Sequence, residues 1–507
     1  MTHSLPVFDL LVLVVYLAGT VAFGLWMGRR SGTPEHFMAA GGSLPAWAVG
    51  LSIFGTFVSS ISFLALPGKA VAGDWNPFVF SLTIPLAAWI AVRVFVPFYR
   101  RSGGISAYEH LEHRFGPWAR LYAVACYLLT QLGRMGTIMY LVALALAPLT
   151  GWSVQSLILV TGVIVVFYAM FGGITAVIWT EVVQSIVLIG GAVACVVVLL
   201  VGMPEGPGQL FAIAREHGKF SLGSYAFKFS TSTFWVVLLY GVFMNLQNFG
   251  IDQSYVQRYH TACSDAAARR SVWTGTLLYL PVSAFFLFIG TALYAYYTAQ
   301  PERLPAELSL ADTSDKVFPH FIVAELPVGL TGLVIAAIFA AAQSTISSSV
   351  NCAATLIGCD IYRRYIRPDA AESSMMRVLR GSTLVVGVLG TLAALAMISM
   401  KSALDAWWAW AGVASGGMLG LFLLGLIARR VRNAAAGTAV VAGILVIIWM
   451  TISTKSIWPE AWAGWRSPFH DLMITVVGTC TILLTGFLLT LVIGAGQRPD
   501  ADGEGSR

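Results

Sequence analysis

The sequence predicts an all-α, polytopic membrane protein with about thirteen transmembrane helices. Three observations carry that expectation. Hydrophobic residues fill 57% of the 507 positions and charged residues only 11%, against about 25% charged in soluble domains. Mean hydropathy is +0.78, and apolar runs long enough to cross a bilayer as helices recur from end to end. The loops between those runs alternate in Lys and Arg content, as they do in a chain threaded through a membrane.

In order, the runs lie at 7–27, 45–66, 76–98, 117–148, 153–170, 175–201, 234–257, 271–298, 320–355, 378–400, 403–427, 435–453 and 470–494. The first is followed by Arg29 and Arg30 and lacks a small-residue cleavage site, so it reads as a retained span, not a signal peptide. Loops on the side of the C-terminus hold 19 Lys and Arg, including Arg258, Arg269 and Arg270 in the 258–270 loop. The other side holds 9, and Arg93 and Arg134 fall within spans. The positive-inside rule then expects a multi-pass plasma-membrane protein with an external N-terminus and a cytoplasmic C-terminus. The net charge of +6 reflects this loop topology and gives no sign of nucleic-acid binding.

Residues 1–494 read as a single transmembrane domain, and 495–507 as a disordered cytoplasmic tail, within "GAGQRPDADGEGSR". The six cysteines show no metal or disulfide spacing and read as packing residues. No obligatory protein partner is evident, so the expected partners are the bilayer and a small solute.

Five spans carry polar residues that a lipid-facing helix would avoid. The second contains "FGTFVSSISFLALPGK" (54–69), with Thr56, Ser59, Ser60 and Ser62 beside Gly55. The seventh contains Asn245, Gln247, Asn248, Gly250, Asp252 and Gln253. These two lie five helices apart, and polar residues with glycine in paired positions are the sign of discontinuous helices in an inverted-repeat transporter. Unwinding frees backbone carbonyls, which is tolerable at membrane depth only around a cavity or an ion. The bland alternative is that each hydroxyl bonds back to the i−4 carbonyl of an intact helix.

In the ninth span Ser344, Ser347, Ser348 and Asn351 follow i, i+3, i+4, i+7 and share one helical face, with Ala341 close to it and Thr345 about 100° away. Such a stripe is either small-residue packing or a source of neutral oxygen ligands. Several hard oxygens suit a hard monovalent cation such as Na⁺. The sixth span carries Glu181 and Gln184, and the fourth carries Arg134 midway along its length. Arg134 either pairs with a buried acid as scaffold or faces a cavity and forks onto a substrate carboxylate.

A secondary active transporter fits these features best. A channel would need a ring of charges or a carbonyl filter, and neither is visible. A membrane enzyme is the other rival, but "HLEH" at 110–113 lacks the HExxH zinc spacing.

The fragments "TPEHFMAAGGSLPAWAVGLSIFGTFVSS", "YRRSGGISAYEHLEHRFG", "MFGGITAVIWTEVVQ", "GIDQSYVQRY", "AAAQSTISSSVNCAATLIGCDIYRR" and "SGGMLGLFLLG" together resemble the sodium:solute symporter family, over about residues 7–430. The resemblance implies the leucine-transporter-like fold, a 5+5 inverted repeat at about 45–201 and 234–427 with two discontinuous helices, and Na⁺ as the coupling ion. It implies a central Na⁺ site made by the carbonyls of Gly55, Val58 and Ala341 and the hydroxyls of Ser344 and Thr345. In some relatives a second sodium is bound by an acid on the sixth span, and the matching residues are Glu181, Ser347 and Ser348. The family more often has Asp where this chain has Glu181. The implied substrate cavity is lined by Ser59, Ser62, Phe78, Ser81, Arg134, Asn245, Asn248 and Trp410. An arginine at the position of Arg134 occurs in the family's sialic acid transporters, so a small organic carboxylate is the expected solute and a sugar or polyol the alternative.

Overall fold

The computed structural model describes residues 5–29, 31–399, 416–428, 430–455 and 458–493, and the regular elements among them are helices. The first span is α1 (Val7–Gly28). The second is broken into α2 (Ala46–Phe57) and α3 (Ser60–Ala72), bent by 54°. Then come α4 (Phe78–Ser102), α5 (Pro117–Thr150) and α6 (Val154–Val201). The seventh span is also broken, into α7 (Phe234–Ile251) and α8 (Gln253–Thr261). The chain continues through α9 (Asp265–Ala299), α10 (Leu330–Leu356), α11 (Glu372–Met397), α12 (Gly416–Ile427), α13 (Asn433–Ser453) and α14 (Met473–Ile493).

Among the described residues ten helices are long and apolar enough to cross a membrane, or eleven when α2 and α3 count as one bent span. At 48 residues α6 would run ~72 Å if straight, more than twice the ~30 Å hydrocarbon core. Gly173 divides it, with φ 55° and ψ −155°, where 153–170 and 175–201 were expected as separate spans. A Cβ at Gly173 would stand 2.7 Å from the Phe37 carbonyl oxygen, so only glycine fits the turn. Of the expected span 403–427, Gly416–Ile427 is described.

Two expectations need correction. The ninth span does not begin at 320: Ser314–Ala324 is a separate helix, and Pro327 and Gly329, with φ 92°, turn the chain before α10. Arg258 is not a loop charge. It lies on α8 with 0% of its surface exposed.

α10 is the axis of the molecule. Every residue from Val334 to Leu356 is buried, so this helix meets protein on all sides and almost no lipid. It packs against α6, α1, α5 and α11. The broken span leans instead on α9, through glycines that let the backbones close up: a Cβ on Gly50 would meet Thr274 Cβ at 2.6 Å, and one on Gly290 would meet the Pro67 carbonyl oxygen at 2.1 Å.

Candidate functional site: two helix breaks and a buried polar core

At the first break Val58 (φ −85°, ψ 115°) and Ser59 (φ −108°, ψ 163°) are extended. The N–H of Ser62, which in an unbroken helix would close onto the Val58 carbonyl, donates instead to Ser59 Oγ at 3.2 Å. Ser59 is thus the N-cap of α3, and the break lies three residues beyond Gly55. Thr56 takes the bland course and donates back to the Ser52 carbonyl at 2.9 Å. At the second break Asp252 (φ −72°, ψ 120°) caps α8, its carboxylate accepting the Ser254 N–H at 2.7 Å. The Phe57 ring sits between the breaks, with ring centroids 5.4 Å from Phe249, 4.9 Å from Tyr255 and 5.1 Å from Tyr279.

Of the carbonyls freed at the first break, that of Gly55 faces α10. Ser344 Oγ donates to the Gly55 carbonyl at 3.3 Å and to the Ala341 carbonyl at 3.1 Å, and Thr345 Oγ1 donates to the Ala341 carbonyl at 3.3 Å. Oxygens held ~2.4 Å from a shared hard cation stand ~3.4 Å from one another at right angles, and the three separations here, 3.1–3.3 Å, are of that size while also being hydrogen bonds, two of them back-bonds within α10. Both hydroxyl residues are only 2% exposed. Among the described residues no cluster of His, Cys, Asp and Glu could hold a metal; the cluster on hand is made of neutral oxygens, which suits a monovalent cation.

Glu181 is also fully buried and has a partner that the loop assignment of Arg258 concealed. Arg258 Nη2 donates to both Glu181 oxygens at 2.8 Å. Ser348 Oγ and Ser52 Oγ each donate to the same carboxylate. Arg258 also donates from Nε to Ser52 at 2.6 Å, from Nη2 to Ser348 at 2.6 Å and from Nη1 to the Ser254 carbonyl. Ser347 turns elsewhere and donates to the Ser344 carbonyl at 3.1 Å. A carboxylate offers about four lone-pair sites, and here four donor contacts take them. The residues assigned by resemblance to a second sodium therefore do not fit one in this arrangement.

The residues expected around the solute divide into two groups. Ser81 is buried and shares a 2.6 Å hydrogen bond with Ser283 on α9. Asn245, 0% exposed, donates to Thr83 Oγ1 at 3.0 Å and to the Phe80 carbonyl at 3.4 Å. These two tie helices together. Phe78 is half-buried against Trp75. Ser59, Ser62, Asn248 and Arg134 are also partly exposed, and Ser59 and Ser62 lie at the first break, with hydroxyls 3.2 Å apart. Trp410 lies outside the described residues. Arg134 makes no hydrogen bond or ion pair among the described residues. Its electrostatic partner is Asp252 at the second break, beyond salt-bridge contact.

Residues 37–443 match the sodium:solute symporter family. The chain is 34% identical over 504 residues to the sodium/sialic acid symporter SiaT of Proteus mirabilis, covering 99% of this chain and 98% of that protein. It is 32% identical over 493 residues to the sodium/sialic acid symporter NanT of Aliivibrio fischeri, covering 96% and 93%. A solved Na⁺-coupled sialic acid symporter, substrate-bound and outward-open, superposes with a TM-score of 0.87 at 31% identity over 97% of this chain and 99% of that one. The nucleobase-cation symporter Mhp1 shares the fold at 17% identity, with a TM-score of 0.58 over 91% and 95% of the two chains.

Proposed function

The chain belongs to the sodium:solute symporter family, and from that premise we propose that it imports a small organic anion, of the sialic acid or monocarboxylate class, together with Na⁺. The observation that carries the choice of an anion is Arg134. A guanidinium near mid-span costs at least ~2.5 kcal/mol on insertion scales, yet this one has no hydrogen bond or ion pair among the described residues. A scaffold arginine would close a salt bridge with its acid. Arg134 feels Asp252 only from beyond salt-bridge contact, which leaves its fork free for a carboxylate in two parallel hydrogen bonds. Ser59, Ser62 and Asn248, near the breaks, supply hydroxyl and amide groups for the rest of the solute, with Phe78 and Trp410 as apolar walls. Ser81 and Asn245 hold α4 to α9 and to α7.

Na⁺ is cargo here, the coupling ion that travels with the solute. We assign it to the Gly55, Val58 and Ala341 carbonyls and the Ser344 and Thr345 hydroxyls. The assignment is supported by the hydrogen-bond distances of 3.1–3.3 Å among four of these oxygens and by the Ser62 N–H, which donates to Ser59 Oγ and so leaves the Val58 carbonyl without its helical donor. An ion there joins α2 to α10. Its binding favours the arrangement in which the break is formed and the solute groups beside it are presented, which is how occupancy of one site raises affinity at another. The two broken spans fall at matching places in repeats of about 45–201 and 234–427, whose rocking would expose the site to each side in turn. Without Arg258 the loop count is 18 Lys and Arg against 9, which still favours a cytoplasmic C-terminus in the plasma membrane. The solute is moved without being chemically altered.

Uptake into proteoliposomes under an imposed Na⁺ gradient tests the reading, with sialic acid, small monocarboxylates, sugars and polyols as a panel. A carboxylate should accumulate above its external concentration only when the gradient is present. Arg134→Lys keeps the charge and loses the fork, so it should weaken solute affinity ~10–100-fold, the worth of one or two charge-assisted hydrogen bonds, and leave Na⁺ binding nearly unchanged. If only a neutral sugar or polyol is taken up, the carboxylate clamp is wrong.

A further inference from the structure

The contacts around Glu181 form a closed ring, with consequences for how many ions are carried. The ring draws on four elements: Ser52 from α2, Glu181 from the second limb of α6, Arg258 from α8 and Ser348 from α10. Each serine hydroxyl donates to the carboxylate and accepts from the guanidinium. Both charged side chains are 0% exposed, so neither has water as an alternative partner. A mobile cation could reach Glu181 only by displacing the guanidinium, which would leave Arg258 charged, buried and without its anion. The extra methylene of Glu over Asp extends the carboxylate by one carbon toward Arg258.

We infer that Arg258 is a built-in cation at the place where a second Na⁺ would otherwise bind, so that this transporter carries one Na⁺ per solute. The inference rests on the central-site reading given above. One Na⁺ moving with one monoanionic solute transfers no net charge, whereas two would transfer one positive charge per cycle. Arg258 is thus a positioning and stoichiometry-setting residue that need not touch the solute.

Equilibrium binding of radiolabelled Na⁺ to the purified full-length protein tests this without any solute, so its outcome does not depend on which anion is carried. The wild type should bind one Na⁺ per chain with a Hill coefficient of one, and Ser344→Ala should weaken that binding about tenfold. Arg258→Met leaves Glu181 uncompensated and should add a second bound Na⁺, moving the Hill coefficient toward two, whereas Arg258→Lys should keep the count at one. Glu181→Gln in the otherwise wild-type chain should leave the count at one. Two bound ions in the wild type, or a count that falls on Glu181→Gln, overturns the inference even where Arg258→Met cannot be purified. A count that stays at one in a folded Arg258→Met protein also overturns it. Unchanged Na⁺ affinity in Ser344→Ala, with the count still one in Glu181→Gln, would instead overturn the central-site assignment.

Discussion

Ser344 and Thr345 are the residues on which the proposed Na⁺ assignment turns. Each is 2% exposed, and each bonds a carbonyl at 3.1–3.3 Å. Removing either hydroxyl takes away one oxygen that water cannot readily replace. Ser344→Ala and Thr345→Ala should each raise the Na⁺ concentration for half-maximal transport about tenfold, equivalent to ~1.4 kcal/mol, and the double variant should raise it further. Sodium titrations of uptake in well-expressed variants check this; an unchanged half-maximal concentration in the double variant removes the assignment. The serine stripe was legible at this scale because helical period depends only on spacing. Arg258 was not, because its sequence neighbourhood, "SYVQRYH", reads as the polar margin of a span.

Helix ends and helix contacts carry the next set of consequences. Asp9, 1% exposed in the first turn of α1, accepts the Gly329 and Gly332 N–H groups at 2.7 Å each. It thereby caps α10 from another helix and places a negative charge at the positive end of its dipole. Asp9→Ala should lower unfolding stability by ~1–2 kcal/mol, visible as a reduced melting temperature in detergent, while Na⁺ affinity stays within twofold. A melting temperature equal to that of the wild type would show that the clip contributes nothing. The contact between α2 and α9 is less forgiving. With a Gly50 Cβ 2.6 Å from Thr274, Gly50→Leu should push the two helices apart and sharply reduce the yield of monodisperse protein, measured by size-exclusion chromatography. The sequence signalled the two broken spans because glycine and hydroxyl residues are intrinsically poor interior helix residues. It misplaced the start of α10, since the apolar run from 320 continues across Pro327 and Gly329 and hydropathy does not register a turn.

For the whole molecule, the asymmetry of loop charge is the basis of the proposed orientation, with the C-terminus in the cytoplasm. Cys263 offers a reporter, being exposed between α8 and α9 while the other five cysteines are buried or half-buried. In a variant that keeps Cys263 alone, a membrane-impermeant thiol reagent should label inside-out vesicles and spare right-side-out ones. The reverse pattern would invert the proposed topology. Composition and the alternation of loop charge could determine by themselves that the solvent is lipid and that the chain crosses it repeatedly, and glycine with polar residues inside two spans marked where they are interrupted. These are properties of a residue and its near neighbours: transfer into hydrocarbon, the 3.6-residue period and the backbone freedom of glycine. Only the tertiary structure could decide which polar groups meet. Glu181 and Arg258 are 77 residues apart, and Ser81 and Ser283 are 202 apart. In a medium that cannot satisfy a buried charge, packing chooses the partner, and no local pattern records that choice.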